Sequence, residues 1–318
     1  MLSERGLPEH AGVRPAWPGS QVGELFVRRG PGGREPGLLV HGLGGSATNW
    51  TDLMGLLEGV LDSEAVDLPG FGHSPPAERC TVGAHARAVI AHLERGRRGP
   101  VHLFGNSLGG AVSTRVAADR PDLVRTLTLV SPALPNLRRT KGSDPRLPLL
   151  LLPGLARLAE RRLAARTPEQ RARGVLELCY GDPSTIPPQR MAEAVEEMAR
   201  RGGLPHSQDA FTASLRGLIR SYLARGARSP WAAAAREQAP TLLVWGDRDR
   251  LVDVAIAPRA ASTYPDVRLL VLPGVGHVAQ MERPETVARA FLGMLEELTA
   301  RTGCGVIGAD DVEGGRTP

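Results

Sequence analysis

The chain has 318 residues, 42% hydrophobic and 23% charged, which suits one large globular domain or one domain carrying an insertion. Aromatic residues are only 4%, which argues against a broad stacking platform for sugars or single-stranded nucleic acid. The net charge of +5 rests on arginine, with Lys141 the single lysine, so it reads as a compositional bias and not as a nucleic-acid footprint.

Residues 1–21 hold three of the prolines, carry Glu4, Arg5 and Glu9, and lack an apolar core. They read as a loose arm and not as a signal peptide. Glu24 to Arg28 is a candidate early strand. PGLLVHGLGG at 36–45 is a short apolar strand ending in a glycine loop, and SEAVDLPGFG at 63–72 repeats that design. Thr81 to Arg95 reads as a helix, with Val82, Val89, Ile90 and Leu93 on one face. VHLFGNS at 101–107 is the next strand, Leu108 to Asp119 a small-residue helix stopped by Pro121, and VRTLTLVSPA at 124–133 another buried strand. The rhythm then breaks. Residues 135–235 show helical stretches rich in Arg, Ala and Leu, and the longest apolar block, Leu147 to Leu155, is cut by Pro148 and Pro153 and is too short to span a membrane. Alternation resumes with PTLLVWGDRD at 240–249, the helix-like AIAPRAAST, the strand VRLLVLPG at 267–274 and an amphipathic helix from Pro284 to Ala300. Residues 303–318 read as a disordered tail. Strands alternating with helices predict a mostly parallel α/β sheet covered on both faces. The organisation is an arm, a core in two parts (22–134 and 236–302), and a helical insertion at 135–235. Cys80, Cys179 and Cys304 are odd in number and without metal-ligand spacing, which predicts free thiols in a reducing, cytoplasmic setting and no metal site.

Gly105-Asn106-Ser107-Leu108-Gly109 fits G-x-S-x-G, a serine on a sharp turn from strand to helix. Its plain alternative is a glycine-rich βα turn. A serine hydroxyl needs a base, and the base an orienting acid. Of eight histidines, His277 stands out, in the small-residue loop Gly274-Val275-Gly276-His277 just past a strand. His41 reads as a prop for the glycine loop, His102 as a core residue and His73 as a candidate pocket residue. His10, His85, His92 and His206 read as surface. For the acid, Asp249 is preferred over Asp247, which begins a turn where an aspartate often binds its own backbone. Asp253 suits a helix N-cap. An attacked carbonyl oxygen needs two N–H donors. Leu108, at a helix N-terminus, and Leu43, in the loop His41-Gly42-Leu43-Gly44-Gly45, are the candidates. Gly42, Gly44, Asn106 and Val278 are further candidates for the pocket lining.

The stretches HGLGG (41–45), DLPGFGHS (67–74), GNSLGG (105–110), WGDRDRLV (245–252) and GVGHVAQMERPE (274–285) resemble the α/β-hydrolase fold superfamily. They look most like its branch of meta-cleavage-product C–C hydrolases, small-ester esterases and cofactor-free haloperoxidase-like enzymes. The resemblance covers about 22–133 and 236–300 and implies a triad of Ser107, Asp249 and His277 with donors Leu43 and Leu108. It implies a helical cap at the insertion and no cofactor. Ser107 stands where haloalkane dehalogenases and epoxide hydrolases place an aspartate. The chain departs from the pattern in showing no clear pair of antiparallel strands before residue 36.

Three functions fit. The first is hydrolysis of a carboxylic ester of a small to medium apolar substrate, with the insertion as a lid. Leu149 to Leu152, Leu155 and Leu158 would form either an apolar wall or the lid's own core. Arginine-rich 157–173 and 190–201 would greet an anionic substrate or membrane surface, or simply be solvated faces. The second is C–C hydrolysis of a diketone acid, whose carboxylate would need an arginine such as Arg190 or Arg216; acyl transfer and perhydrolysis are variants. The third is ligand binding without catalysis. The expected partner is a small molecule, with no nucleic acid and no stable membrane insertion; a homo-oligomer is compatible with all three.

Overall fold

Aliphatic runs without polar alternation form strands where both faces of a sheet are covered. In this computed structural model, which describes residues 2–8, 14–136 and 166–302, such runs build the middle of an eight-stranded sheet. The strands are β1 (Gly19–Val22), β2 (Leu25–Arg29), β3 (Glu35–Val40), β4 (Leu61–Asp67), β5 (Val101–Asn106), β6 (Val124–Val130), β7 (Thr241–Gly246) and β8 (Val267–Leu272). Their order is β1-β2-β4-β3-β5-β6-β7-β8. From β4 to β8 neighbours pair parallel, while β2 runs antiparallel to both of its neighbours. The fold is an α/β-hydrolase fold.

The helices are α1 (Thr51–Leu56), α2 (Val82–Gly96), α3 (Leu108–Asp119), α4 (Pro168–Cys179), α5 (Pro188–Gly202), α6 (Ser207–Tyr222), α7 (Pro230–Arg236), α8 (Ala257–Thr263), α9 (Ala279–Glu282) and α10 (Pro284–Thr302). Successive strand residues point to opposite faces. Leu38, Val40, Leu103, Leu129 and Leu243 accordingly pack with α2, α3, α7 and α8. Leu39, Phe104, Val130 and Val244 pack with α1 and α10 on the other side. Phe104 and Phe291 are fully buried, with ring centroids 4.9 Å apart; each such burial contributes about 2–3 kcal/mol. Helices α4 to α7 fill the described part of the stretch between β6 and β7. The leucines of 149–158, His10, Cys304 and the tail from 303 lie outside the described residues.

The N-terminus differs from expectation. A β-hairpin precedes residue 36: Val22 pairs with Leu25 across a two-residue turn, with Gly23 at φ +61°. Primed hairpin turns need such a residue. The polar sequence GSQV of β1 is largely exposed, so it carries no apolar alternation to announce a strand. Nor is the arm loose where it is described. Buried Ser3 donates to the Arg289 carbonyl at 3.0 Å and bonds Glu296 at 2.5 Å, and Trp17 Nε1 donates to the Thr51 carbonyl.

Candidate active site

The C-terminal ends of the parallel strands share one edge of the sheet, where open α/β sheets bind their ligands. At that edge β5 turns sharply into α3 through Ser107, at φ +53° and ψ −115°. A non-glycine residue in such a conformation is strained, and strain of this kind persists only where the surroundings enforce it. Here they do. The Ser107 N–H donates to the Val130 carbonyl, and its own carbonyl accepts from Ala111 and Ala133. The flanking glycines are required by space. A Cβ on Gly105 would lie 2.5 Å from the Gly109 carbonyl oxygen, and one on Gly109 would lie 2.5 Å from that of His41. The helix and strand therefore close to a distance that only glycine permits.

His277 lies in the loop after β8 and Asp249 in the loop after β7. His277 Nδ1 and Asp249 Oδ2 are 2.8 Å apart, and both side chains are buried. The other oxygen, Asp249 Oδ1, accepts the Leu251 and Val252 N–H groups at 2.8 and 2.9 Å. Burial opposes the charge on Asp249, but the nearby imidazole and these hydrogen bonds outweigh it and hold the carboxyl below its usual range. With Nδ1 committed to a carboxylate, Nε2 is the nitrogen left to accept a proton. Asp247 is engaged elsewhere. Its Oδ1 accepts the Gly274 N–H at 2.7 Å and closes the neighbouring turn. Asp253 caps the short turn at 254–256 through the Ala255 N–H.

The loop after β3 faces Ser107 from the other side. A Cβ on Gly42 would come within 3.1 Å of Ser107 Cβ. Gly45 N–H donates to the Gly42 carbonyl, with Gly44 between them at φ +71°, so Leu43 and Gly44 form a tight turn beside the serine. His41 supports it: Nδ1 lies 2.7 Å from the Gly42 carbonyl, and Nε2 accepts the Leu68 N–H. Burial depresses the His41 pKa, so the ring is neutral, as an acceptor must be. Leu108, fully buried, opens α3.

The remaining candidates divide. Asn106 is buried, and its amide nitrogen donates to the Val130 and His277 carbonyls at 3.0 and 3.1 Å, tying the serine turn to the histidine loop. Val278 is buried against Leu176 and Tyr180 at the end of α4. His73 is exposed, with its ring on Phe26 at 4.8 Å. His102 is a core residue bonded to Thr126. Two histidines that read as surface are buried instead. His85 bonds Ser214 of α6, and His92 bonds Glu64 of β4. Both sit on the inner face of α2, where a polar ring interrupts the apolar period. Arg190 is likewise buried: it donates to Asp52 Oδ1 and Oδ2 at 2.5 and 2.9 Å. Arg216 is exposed on α6.

Sequence reasoning passes over three organisers of the site. Asp67, fully buried, accepts the Ala47 and His73 N–H groups and so pins the loops after β3 and β4 together. Glu282 accepts the N–H groups of Gly276, Gly181 and Asp182, joining the His277 loop to the segment after α4. Arg201 of α5 reaches the glycine loop, donating to the Gly44 carbonyl and, at 3.0 Å, to the Gly45 carbonyl. Asp67 opens the stretch DLPGFGHS, whose glycines mark a loop without indicating what the carboxylate binds. Glu282 and Arg201 carry no motif of their own. Among the described residues no group of three or more His, Cys, Asp or Glu is arranged to hold a metal ion.

Comparison with known proteins agrees with this architecture. The chain is 28% identical over 279 residues to a 2-hydroxy-6-oxononadienedioate/2-hydroxy-6-oxononatrienedioate hydrolase of Pseudomonas sp, covering 86% of this chain and 92% of that protein. It is 26% identical over 273 residues to human monoacylglycerol lipase ABHD6, covering 84% and 77%. Among solved structures it is similar to a bacterial membrane phospholipase A described as a virulence factor, with a TM-score of 0.69, 26% identity, and 92% and 87% of the two chains covered. The family model of the alpha/beta hydrolase fold matches residues 38–284, and the chain belongs to that family.

Proposed function

We propose that this protein is a serine hydrolase that cleaves carboxylic esters with a small to medium apolar acyl group. The observation that carries the reading is the Asp249–His277 pair, 2.8 Å apart and buried, on the sheet edge where Ser107 is held at φ +53°. Ser107 Oγ attacks the ester carbonyl carbon while His277 Nε2 takes its proton. Asp249 fixes the imidazole and balances the imidazolium that forms. The tetrahedral oxyanion is received by the N–H groups of Leu43 and Leu108. His277 then protonates the leaving alcohol, giving an acyl-enzyme. Water, deprotonated by the same nitrogen, attacks the acyl carbon, and the acid departs with Ser107 reprotonated. No cofactor takes part in these steps.

Apolar side chains on the segments that flank the serine turn support an apolar acyl chain. Phe211 of α6 lies against Gly44, and Leu134 is buried just past Ala133, the residue bonded to the Ser107 carbonyl. The helices α4 to α7 act as the cap that supplies one wall. Similarity to a lipase supports the ester reading, and similarity to the Pseudomonas hydrolase supports C–C cleavage on the same residues. The ester is favoured because, of the two arginines that could hold a substrate carboxylate, Arg190 is committed to Asp52 and Arg216 is exposed on α6. Free Cys80 and Cys179 support a reducing, cytoplasmic setting. No helix among the described residues is long and apolar enough to cross a membrane.

The test is turnover of p-nitrophenyl esters from acetate to palmitate, wild type beside Ser107→Ala, with fluorophosphonate labelling of both. Expected are a chain-length optimum, labelling of the wild type alone, and at least a ~10³-fold loss in the variant. A well-folded wild type that hydrolyses no ester refutes the reading, and cleavage of a vinylogous diketone acid by that same protein would establish the C–C alternative.

A further inference from the structure

A donor for an oxyanion must be in place before the charge forms, because its catalytic worth lies in preorganisation. The candidate donor Leu43 sits in Gly42-Leu43-Gly44-Gly45, three glycines around one side chain. Glycine is the most conformationally permissive residue, so this turn is the least suited to hold an N–H group still by its own backbone. Three contacts hold it from the core side. Gly45 N–H closes on the Gly42 carbonyl, His41 Nδ1 meets that same carbonyl, and Ser46 N–H donates to Asn49 Oδ1. None of these three engages the carbonyls of Gly44 or Gly45.

Those two carbonyls are held from the insertion. The Arg201 guanidinium uses one terminal nitrogen for Gly44 and the other for Gly45, while its Nε donates to Glu197 Oε1 at 2.6 Å. Arginine alone offers such a rigid fork; lysine presents a single point charge on a flexible stem. The side chain is only 15% exposed, and the Glu197 that orients it 17%, so the contact is not a loose surface pair. The same helix is anchored at its other end by the Arg190–Asp52 pair, eleven residues and about 16 Å away along α5. Phe211 of α6 adds apolar contact on Gly44.

We infer that Arg201 is a positioning residue. By clamping the Gly44 and Gly45 carbonyls it fixes the turn that presents the Leu43 N–H, so that the oxyanion site is complete only when α5 is seated on the core. The inference rests on the ester-hydrolase reading for its catalytic consequence, but the clamp itself does not.

The experiment compares wild type, Arg201→Met, Arg201→Lys and, as a control, Arg200→Ala, whose arginine pairs with Glu197 but does not reach the loop. Two readouts are taken: kcat and KM on p-nitrophenyl butyrate, and amide hydrogen exchange of the peptide spanning 41–50. The expected result for Arg201→Met is a ~30-fold or greater loss of kcat with KM within about threefold, together with faster exchange in 41–50. Partial recovery is expected in Arg201→Lys and near wild-type behaviour in Arg200→Ala. Removing a donor outright costs about 10²–10³, and a misplaced donor should lose part of that. Exchange unchanged in Arg201→Met overturns the clamp. Faster exchange with unchanged kcat overturns the positioning role, as does a loss carried wholly by KM. A wild type with no ester turnover overturns the ester reading and, with it, the catalytic role, while the exchange comparison still decides the clamp.

Discussion

Two aspartates in one loop, Asp247 and Asp249, are separated by a single residue, and the structure gives them different partners. That difference makes a sharp prediction. In Asp249→Asn the side-chain oxygen keeps the Leu251 and Val252 N–H groups, which Asp249 Oδ1 accepts at 2.8 and 2.9 Å. The amide nitrogen must then face His277 Nδ1, where the carboxylate oxygen now lies 2.8 Å away. An NH₂ group can only donate, so Nδ1 must give up its proton and become the acceptor. The proton moves to Nε2, and the base can no longer accept from Ser107. Where a wrong tautomer is forced in a triad with its geometry intact, kcat falls about 10⁴-fold, or about 5.5 kcal/mol at 1.36 kcal/mol per decade. Asp247→Asn keeps an oxygen for the Gly274 N–H, bonded at 2.7 Å, and should change kcat less than about threefold. The assay is steady-state p-nitrophenyl butyrate hydrolysis, with circular dichroism to confirm folding. A well-folded Asp249→Asn enzyme retaining more than a tenth of wild-type kcat, or equal losses at 247 and 249, would refute the reasoning.

Arg190→Ala strips both donated bonds from an Asp52 carboxylate that is 5% exposed; breaking a buried pair from one side costs about 3–5 kcal/mol. Urea titration should show that loss, and a drop below about 1 kcal/mol would mean that the pair does not anchor α5. Burial raises Glu237 from 4.5 to about 7, despite bonds from Thr241 and the Ala239 N–H that favour its charge. The unfolded chain therefore releases this proton first, and the contribution of Glu237 falls as pH rises from about 4.5 through 7, by about 3 kcal/mol for 2.5 pH units at 1.36 each. The wild-type minus Glu237→Gln difference in unfolding free energy should fall across that window; a flat difference would show the carboxyl to be ionised in the fold. Glu64 has the opposite sign. Burial would raise it, but His92, Arg29 and Arg98 together hold it at about 2, so its contribution is present above 4.5 and is lost as pH falls toward 2. Glu64→Gln should therefore be least destabilising, relative to wild type, in acid.

What is legible in the chain is whatever repeats locally. Largely apolar strands at 38–40, 101–104, 127–130 and 242–245 announce a sheet covered on both faces, and each is followed by small residues where the chain turns sharply. That logic leads to the fold and family, and it singles out Ser107, Asp249 and His277, on three loops that meet at one edge. Where it fails, the missing information is either polar or distant. The strand Gly19–Val22 is exposed and so has no hydrophobic signature. His85 and His92 are core residues of α2 whose partners, Ser214 and Glu64, lie in other elements. Arg190 and Arg201 sit in an arginine-rich helix that looks solvated until Asp52 and Gly44, 138 and 157 residues earlier, are folded against it. Pattern reading counts apolar period and turn chemistry; it has no means to pair one arginine among many with a carboxylate or a carbonyl elsewhere. The consequence is specific to this site. Strand-end loops carry the candidate groups Ser107, Asp249 and His277, while Arg201 of the insertion donates to the Gly44 and Gly45 carbonyls of a neighbouring strand-end loop. The part of the chain least readable as sequence is therefore the part whose polar contacts reach the loop beside Ser107.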